Sequence, residues 1–329
     1  MATYKGIQGY SVQTLASDPT AADVEGQLWY NSTSGSYKIS VGAAGAWAST
    51  PNVNTGRSFG GAVGGPPAAL FVGGGPGTKT NTESWDGSTW TNATAMNTGR
   101  QYTVAFGSTT AAVVVAGNPG SLTTTEIWNG AGWTNVPGVL SVGRQMMGSS
   151  NTGTTTAGLI FAGENAPGPP WYSLALAESW DGSSWSVETA VTTVRQDPGG
   201  VGTQTASLCI TGYDQNPPAG FRANVEEWNG TGWSEETDVN TGRQAMCCAG
   251  TTTSAFIGGG GDNGATGASE QWNGTTWTEV GDMGTGRAHI AKGAGASGNV
   301  CIACSGNPNL VNCESWDGAP MTVKTVTVS

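Results

Sequence analysis

The segment Glu83-Ser-Trp85-Asp-Gly-Ser-Thr-Trp90 returns five more times along the 329-residue chain. The copies are Glu126-Ile-Trp128-Asn-Gly-Ala-Gly-Trp133, Glu178-Ser-Trp180-Asp-Gly-Ser-Ser-Trp185, Glu226-Glu-Trp228-Asn-Gly-Thr-Gly-Trp233, Glu270-Gln-Trp272-Asn-Gly-Thr-Thr-Trp277 and Glu314-Ser-Trp316-Asp-Gly-Ala-Pro-Met321. Only the last leaves the pattern E-x-W-[DN]-G-x-x-W, with Met321 in the second Trp position. Successive first Trp residues stand 43, 52, 48, 44 and 44 positions apart. A second marker keeps the same beat: Arg57, Arg100, Arg144, Arg195, Arg243 and Arg287. Self-similarity at such a period means that one supersecondary unit is copied along the chain.

Each unit reads alike. After the Arg comes a run of small apolar residues, such as Tyr102 to Phe106. A second apolar run ends in glycine (Ala69 to Gly74, Ala112 to Gly117, Ser254 to Gly259). The Glu-x-Trp strand follows, and its Asp-Gly or Asn-Gly pair favours a tight hairpin turn. A fourth strand opens with the second Trp. Four short strands per unit, six units and no helical period predict an all-β chain built as a six-bladed β-propeller.

The unit resembles a kelch repeat: Arg before the first strand, a glycine pair closing the second, an aromatic-Asp pair in the third, and Trp in the fourth. The resemblance covers residues 46–329, and two units keep both glycines where the others keep one. Trp47 stands ten residues before Arg57, as Trp90 stands ten before Arg100. Ala46 to Thr50 therefore reads as a fourth strand without its own first three, available to complete the sixth blade and remove exposed sheet edges. Met321 to Ser329 alternates like a strand and competes for that position; the spacing favours Trp47.

Residues 1–45 lie outside the repeat and carry a hairpin around Asn31 to Gly35. Their Glu25-Gly-Gln-Leu-Trp-Tyr-Asn31-Ser-Thr-Ser-Gly35 resembles a segment of the N-terminal regions of bacteriophage virion proteins. With kelch-like arrays and Asn-Thr-Gly-Arg loops behind it, the chain is similar to appendage proteins of marine phages. The organisation expected is an N-terminal attachment segment over 1–45 and a propeller over 46–329, with 1–45 as a seventh blade the alternative.

Composition narrows the function. Lys and Arg number 12 against 23 Asp and Glu, a net charge of −11, and only five are Lys. Phosphate-reading surfaces need clustered cations, so nucleic acid is disfavoured. No apolar run reaches membrane-spanning length, and the N-terminus has no apolar core of a signal peptide. The six Cys (Cys209, Cys247, Cys248, Cys301, Cys304, Cys313) include one lone CxxC, without a second pair or nearby His for zinc. They read as buried, reduced thiols; no metal or cofactor is expected.

Catalytic groups are scarce. His289 is the only His, which excludes Ser-His-Asp and Cys-His chemistry elsewhere. It also excludes the copper centre of galactose oxidase, a kelch-propeller relative that needs two His. His289 itself reads as a packing position. The six repeat Arg match Glu83, Glu126, Glu178, Glu226, Glu270 and Glu314 one for one. A charge repeated in every blade reads as a structural ring of buried pairs. The repeated Trp residues fill core slots.

The repeat is broken in one region. Between Gly163 and Glu178 lie 14 residues, and between Gly212 and Glu226 lie 13, against eight between Gly74 and Glu83. These neighbouring insertions carry Trp171, Tyr172, Tyr213, Phe221 and Arg222, a candidate receptor- or ligand-binding patch on loops outside the strand ladders. The readings together imply a non-enzymatic virion structural protein, a tail, fibre or capsid-decorating appendage. It would assemble in the host cytoplasm as a homo-oligomer or in several copies. Residues 1–45 would meet other virion proteins and the loops a host surface receptor or glycan. The alternatives are a glycan-active enzyme using Asp181, Asp214 or Glu164, and a cytoplasmic kelch adaptor.

Overall fold

The computed structural model describes residues 12–19, 28–42, 45–165, 172–261, 264–291, 295, 297–318 and 321–326. Among them every regular element is a strand. The chain divides into two compact units, residues 1–45 with 318–329, and residues 46–317. The expected boundary of the repeat region at 329 is thereby corrected. Met321–Thr325 pairs antiparallel with Ser36–Gly42 and leaves the repeats at Asp317.

The smaller unit is one four-stranded sheet in the order Gln13–Leu15, Leu28–Asn31, Ser36–Gly42, Met321–Thr325. Its first pair is parallel and the other two are antiparallel. The Leu-Trp-Tyr-Asn motif explains the hairpin. Trp29 is buried and donates its Nε1–H to Asp18 Oδ1 at 3.0 Å. Asn31 donates to the same oxygen, while its own Oδ1 accepts the Thr33 and Ser34 amides at 3.0 and 2.9 Å. Gly35 closes the turn at φ 66°, a left-handed conformation that glycine adopts without a Cβ clash.

The larger unit holds, among its described residues, five four-stranded antiparallel sheets, one three-stranded sheet and a short two-stranded ribbon. Sheet one runs Gly61–Gly65, Ala68–Val72, Thr82–Trp85, Trp90–Ala93 in sequence order. Sheet two runs Val104–Ser108, Ala111–Val115, Thr125–Trp128, Trp133–Val136. Sheet three comprises Gly148–Ser149, Gly158–Phe161, Ala177–Trp180 and Trp185–Glu188. Sheet four comprises Gly199–Gly202, Ser207–Asp214, Gly220–Trp228 and Trp233–Glu236. Sheet five comprises Cys247–Thr251, Ser254–Gly258, Ser269–Trp272 and Trp277–Val280. Sheet six joins Val300–Cys304 and Cys313–Asp317 to Ala46–Thr50, with Trp316 opposite Trp47. Of the two rivals for that edge, the Trp47 strand occupies it. This all-β, multi-sheet architecture is compatible with a β-propeller.

The hairpin of each of the first five repeats is wider than Asp-Gly alone suggests. Trp85 pairs with Trp90, so four residues, Asp86 to Thr89, form the loop. The Asp86 carboxylate accepts the Ser88 and Thr89 amides at 2.8 Å each, which satisfies donors that a two-residue turn would leave in the ladder. Asn129, Asn229 and Asn273 do the same with their amide oxygens.

Among the described residues, six apolar clusters each span two neighbouring sheets. One of them joins Ala62, Phe71 and Trp90 of sheet one to Ile302, Cys304 and Cys313 of sheet six. In the first five repeats the first Trp donates to a carbonyl in the turn between its own first two strands, as Trp128 does to Thr109 at 3.0 Å, whereas Trp316 Nε1 has no partner among the described residues. The second Trp reaches the preceding sheet: Trp133 to Thr82 Oγ1, Trp185 to Thr125 Oγ1, Trp47 to Ser269 Oγ. Trp233 and Trp277, whose corresponding residues are Ala177 and Val225, donate to the Thr189 and Thr237 carbonyls, while Trp90, facing Cys313 of sheet six, has no such partner among the described residues. Cys313 instead lies in register with Cys304 and forms a disulfide with it, which corrects the reading of six reduced thiols. Cross-strand register brings the two together. Cys209, Cys247, Cys248 and Cys301 take no part in a disulfide and are buried.

Candidate functional site

Two residues after each repeat Arg stands a residue in the left-handed region: Phe59, Tyr102, Met146, Asp197, Ala245 and His289, with φ between 54° and 62°. None is glycine, and each such conformation costs on the order of 1 kcal/mol that the surroundings must offset. The backbone supplies part of the offset. Phe59 N–H donates to the His289 carbonyl, Tyr102 to Phe59, Met146 to Tyr102, Asp197 to Met146 and Ala245 to Asp197. This chain of bonds brings residues of different repeats to one locus. Phe59, Tyr102, Met146, Asp197 and His289 line a pocket there, with Thr103 and Ile290 beside them. Its free space is about 10 Å³, room for one water-sized group.

The aromatic rings are continuous. Phe59 lies 4.2 Å from Tyr102 and 4.2 Å from His289, centroid to centroid. His289 Nε2 comes to 3.8 Å from Asp197 Oδ2. Burial, then Asp197 and Glu164, push the Tyr102 hydroxyl above its ordinary pKa. Burial also raises the Glu164 carboxyl, the bond donated by Gln145 opposes that, and Asp197 adds to the rise. Gln145 Nε2 reaches Glu164 Oε1 at 2.5 Å, while the Oε1 atoms of buried Gln145 and Gln196 have no partner among the described residues. At the far end of the first strands, Asn151 accepts from Gly202 N–H and donates to the Gly295 carbonyl, tying three repeats together.

The residues singled out from the insertions are arranged differently from the expectation. Trp171 lies outside the described residues. Tyr213, Phe221 and Arg222 are in strands, because the second and third strands of sheet four extend past a bulge between Ile210 and Gly212. Tyr213 faces Phe221 across the ladder at 5.0 Å, and Arg222 pairs with Asp214. Tyr172 belongs to a ribbon with Asn165 and is 49% exposed. The two insertions meet: Ser173 Oγ accepts the Gln215 amide at 2.8 Å, and Asn216 donates to the Ser173 carbonyl. Both rise beside the pocket, since Gln145 bridges Glu164 and Gln196 bridges Tyr213 one residue before Met146 and Asp197.

The repeat charges do not reach solvent. Arg57–Glu83, Arg100–Glu126, Arg144–Glu178, Arg195–Glu226, Arg243–Glu270 and Arg287–Glu314 are ion pairs of buried side chains. Each Glu also accepts backbone amides of the loop preceding the Arg, such as Asn97 and Thr98 on Glu126. The acids considered for hydrolysis do not converge. Asp181 caps an exposed hairpin between the third and fourth strands, whereas Glu164 and Asp214 lie at the opposite strand ends of their sheets.

The packing position expected of His289 is a place in the pocket wall. The available signal was its slot: Arg is identical in all six repeats, while the residue two positions on is Phe, Tyr, Met, Asp, Ala or His.

No family model matches the chain, and no curated protein matches it. Solved structures do. The chain titled "Structure of YjhT" is similar with a TM-score of 0.62 and 14% identity, over 84% of this chain and 99% of that one. The likeness is one of fold.

Proposed function

We propose that the chain is a six-bladed, kelch-type propeller carried on a bacteriophage particle as a non-enzymatic display protein. Its terminal unit attaches it to other virion proteins, in several copies, and its strand-end face meets a host surface receptor or glycan. The observation that carries the reading is the division of labour along the chain. Residues from both sides of the repeat region pair with each other in a sheet of their own, around the phage-like Leu28-Trp-Tyr-Asn31 hairpin. The repeat region completes its last sheet with Ala46–Thr50 instead.

Six blades are favoured over seven. The terminal sheet contains a parallel pair, unlike every repeat sheet. Closure is supported by the cluster that joins sheet six to sheet one, and by the Phe59-to-His289 backbone bond. The conjoined ribbons, with Tyr172 outermost, are the adhesive elements of this reading.

The test is removal of the whole terminal unit. A fragment of residues 46–317 should fold, with the β spectrum and melting temperature of its parent, and should be missing from purified particles. Deleting 1–45 alone should be worse behaved, because it strips Met321–Thr325 of its partner strand. Incorporation of the 46–317 fragment at parental levels would remove the attachment role.

A further inference from the structure

We propose that the pocket framed by Phe59, Tyr102, Asp197 and His289 binds a primary ammonium group presented by a ligand. Size is the first argument. The free space admits one water-sized group, and an ammonium is of that size.

Charge is the second. Among the described residues, the lining contains one carboxylate, Asp197, and no Lys or Arg. A second carboxyl, Glu164, is close enough to act on both Asp197 and Tyr102. The repeat Arg residues two positions before the lining residues are each committed to a buried Glu, so they do not neutralise the site. An anionic ligand is therefore repelled, and a cation is attracted.

The walls are the third argument. Three rings in contact, Tyr102, Phe59 and His289, supply π-electron density beside the carboxylate, a combination that favours an organic cation over a neutral hydroxyl. Tyr102 keeps its proton, because its pKa is raised, and adds no charge of its own. The buried Gln145 and Gln196, each one residue before a lining residue, carry amide oxygens with no partner among the described residues. Six left-handed residues and the bonds between them hold this arrangement fixed.

Two sources carry the group, an amino sugar of a surface glycan and a lysine side chain. His289 is the only His of the chain, so its imidazole protons give a single NMR reporter inside the pocket. The full chain is titrated at pH about 7, where an ordinary imidazole is mostly neutral and the amines are mostly protonated, with methylammonium, glucosamine, N-acetylglucosamine and Nα-acetyl-lysinamide. Saturable shifts are expected with methylammonium and with glucosamine or the lysine amide, the stronger of these two naming the source. N-acetylglucosamine should give none. Asp197→Asn, near-isosteric, should weaken binding about tenfold or more. Should that variant fail to fold, Phe59→Leu, which removes the ring and keeps an apolar side chain, is expected to weaken binding severalfold. Absence of saturation with every amine, equal response to the acetylated sugar, or unchanged affinity in a folded Asp197→Asn or Phe59→Leu variant overturns the proposal. The purified chain suffices, so the result is independent of particle attachment.

Discussion

Arg100 shows what one side chain does in this architecture. Its guanidinium donates to the Thr98, Ala116 and Thr124 carbonyls and to Glu126, so nearly every N–H finds an acceptor out of water. Burial lowers its pKa and Glu126 opposes that. Such pairs contribute little net stability relative to apolar residues, yet breaking one strands a buried charge at a cost of about 3–5 kcal/mol. Glu126→Gln should lose that much in equilibrium unfolding, and the double change to Arg100→Met with Glu126→Leu should lose less than the sum of its singles. Additive singles would mean that the pair is not coupled. The same planar fork at Arg57 stacks 3.8 Å over Phe71, which lysine could not reproduce.

At the scale of the element, the repeated hairpin is held by its first turn residue. Asp86 lies well below the ordinary carboxylate range because the Thr89 amide, then the Ser88 hydroxyl and amide, bond its ionised form. Asp181 is lowered by the Ser184 and Ser183 amides in the same manner. A lowered folded pKa means stabilisation that is complete above the ordinary Asp value near 4 and lost as pH falls through the lowered one. Asp86→Asn with Asp181→Asn keeps the capping oxygen, as Asn129 shows, and removes the charge. The double variant should therefore lose less melting temperature than the parent between pH about 4 and pH about 2. Parallel acid profiles would refute this account of the turns. The insertion of sheet four obeys a different rule. Tyr213 and Phe221 prolong the ladder because an aromatic cross-strand pair stabilises it, and the bulge at Gly212 absorbs the register shift.

For the whole molecule, the seam between sheets six and one is the decisive place. Ala46–Thr50 covers the edge of Cys313–Asp317, and Trp47 packs near Phe256 and Trp316 at 5.6 and 5.9 Å. Removing these five residues from the 46–317 fragment exposes an unpaired strand, the situation that promotes edge-to-edge association. The 51–317 fragment should aggregate or melt well below the 46–317 fragment in a concentration-dependent scan. Equal melting temperatures and a monomeric profile would show that the seam closes without this strand. At the seam, Trp90 meets Cys313 where Trp133 and Trp185 meet Thr82 and Thr125, and the Cys304 disulfide stands in that sheet instead.

By itself the sequence determined the repeat strands, their hairpin order within each repeat, the Trp slots and the match of each Arg to one Glu. These are local matters: alternation, turn residues and a repeat of fixed length act within one unit, where neighbours in sequence are neighbours in space. Even the Trp47 strand could be read, because its spacing to Arg57 copies that of Trp90 to Arg100. Tertiary structure alone decided the rest. Phe59 and His289 belong to opposite ends of the repeat region, and only the assembly of sheets brings their rings to 4.2 Å. Met321–Thr325 alternates as any strand does, and nothing local says that Ser36–Gly42 is its partner. The Cys304–Cys313 pair depends on register, and the pocket on six backbones bent the same way toward one point. Long-range convergence of this kind leaves no period in the chain, only a slot whose residue changes while the frame around it repeats.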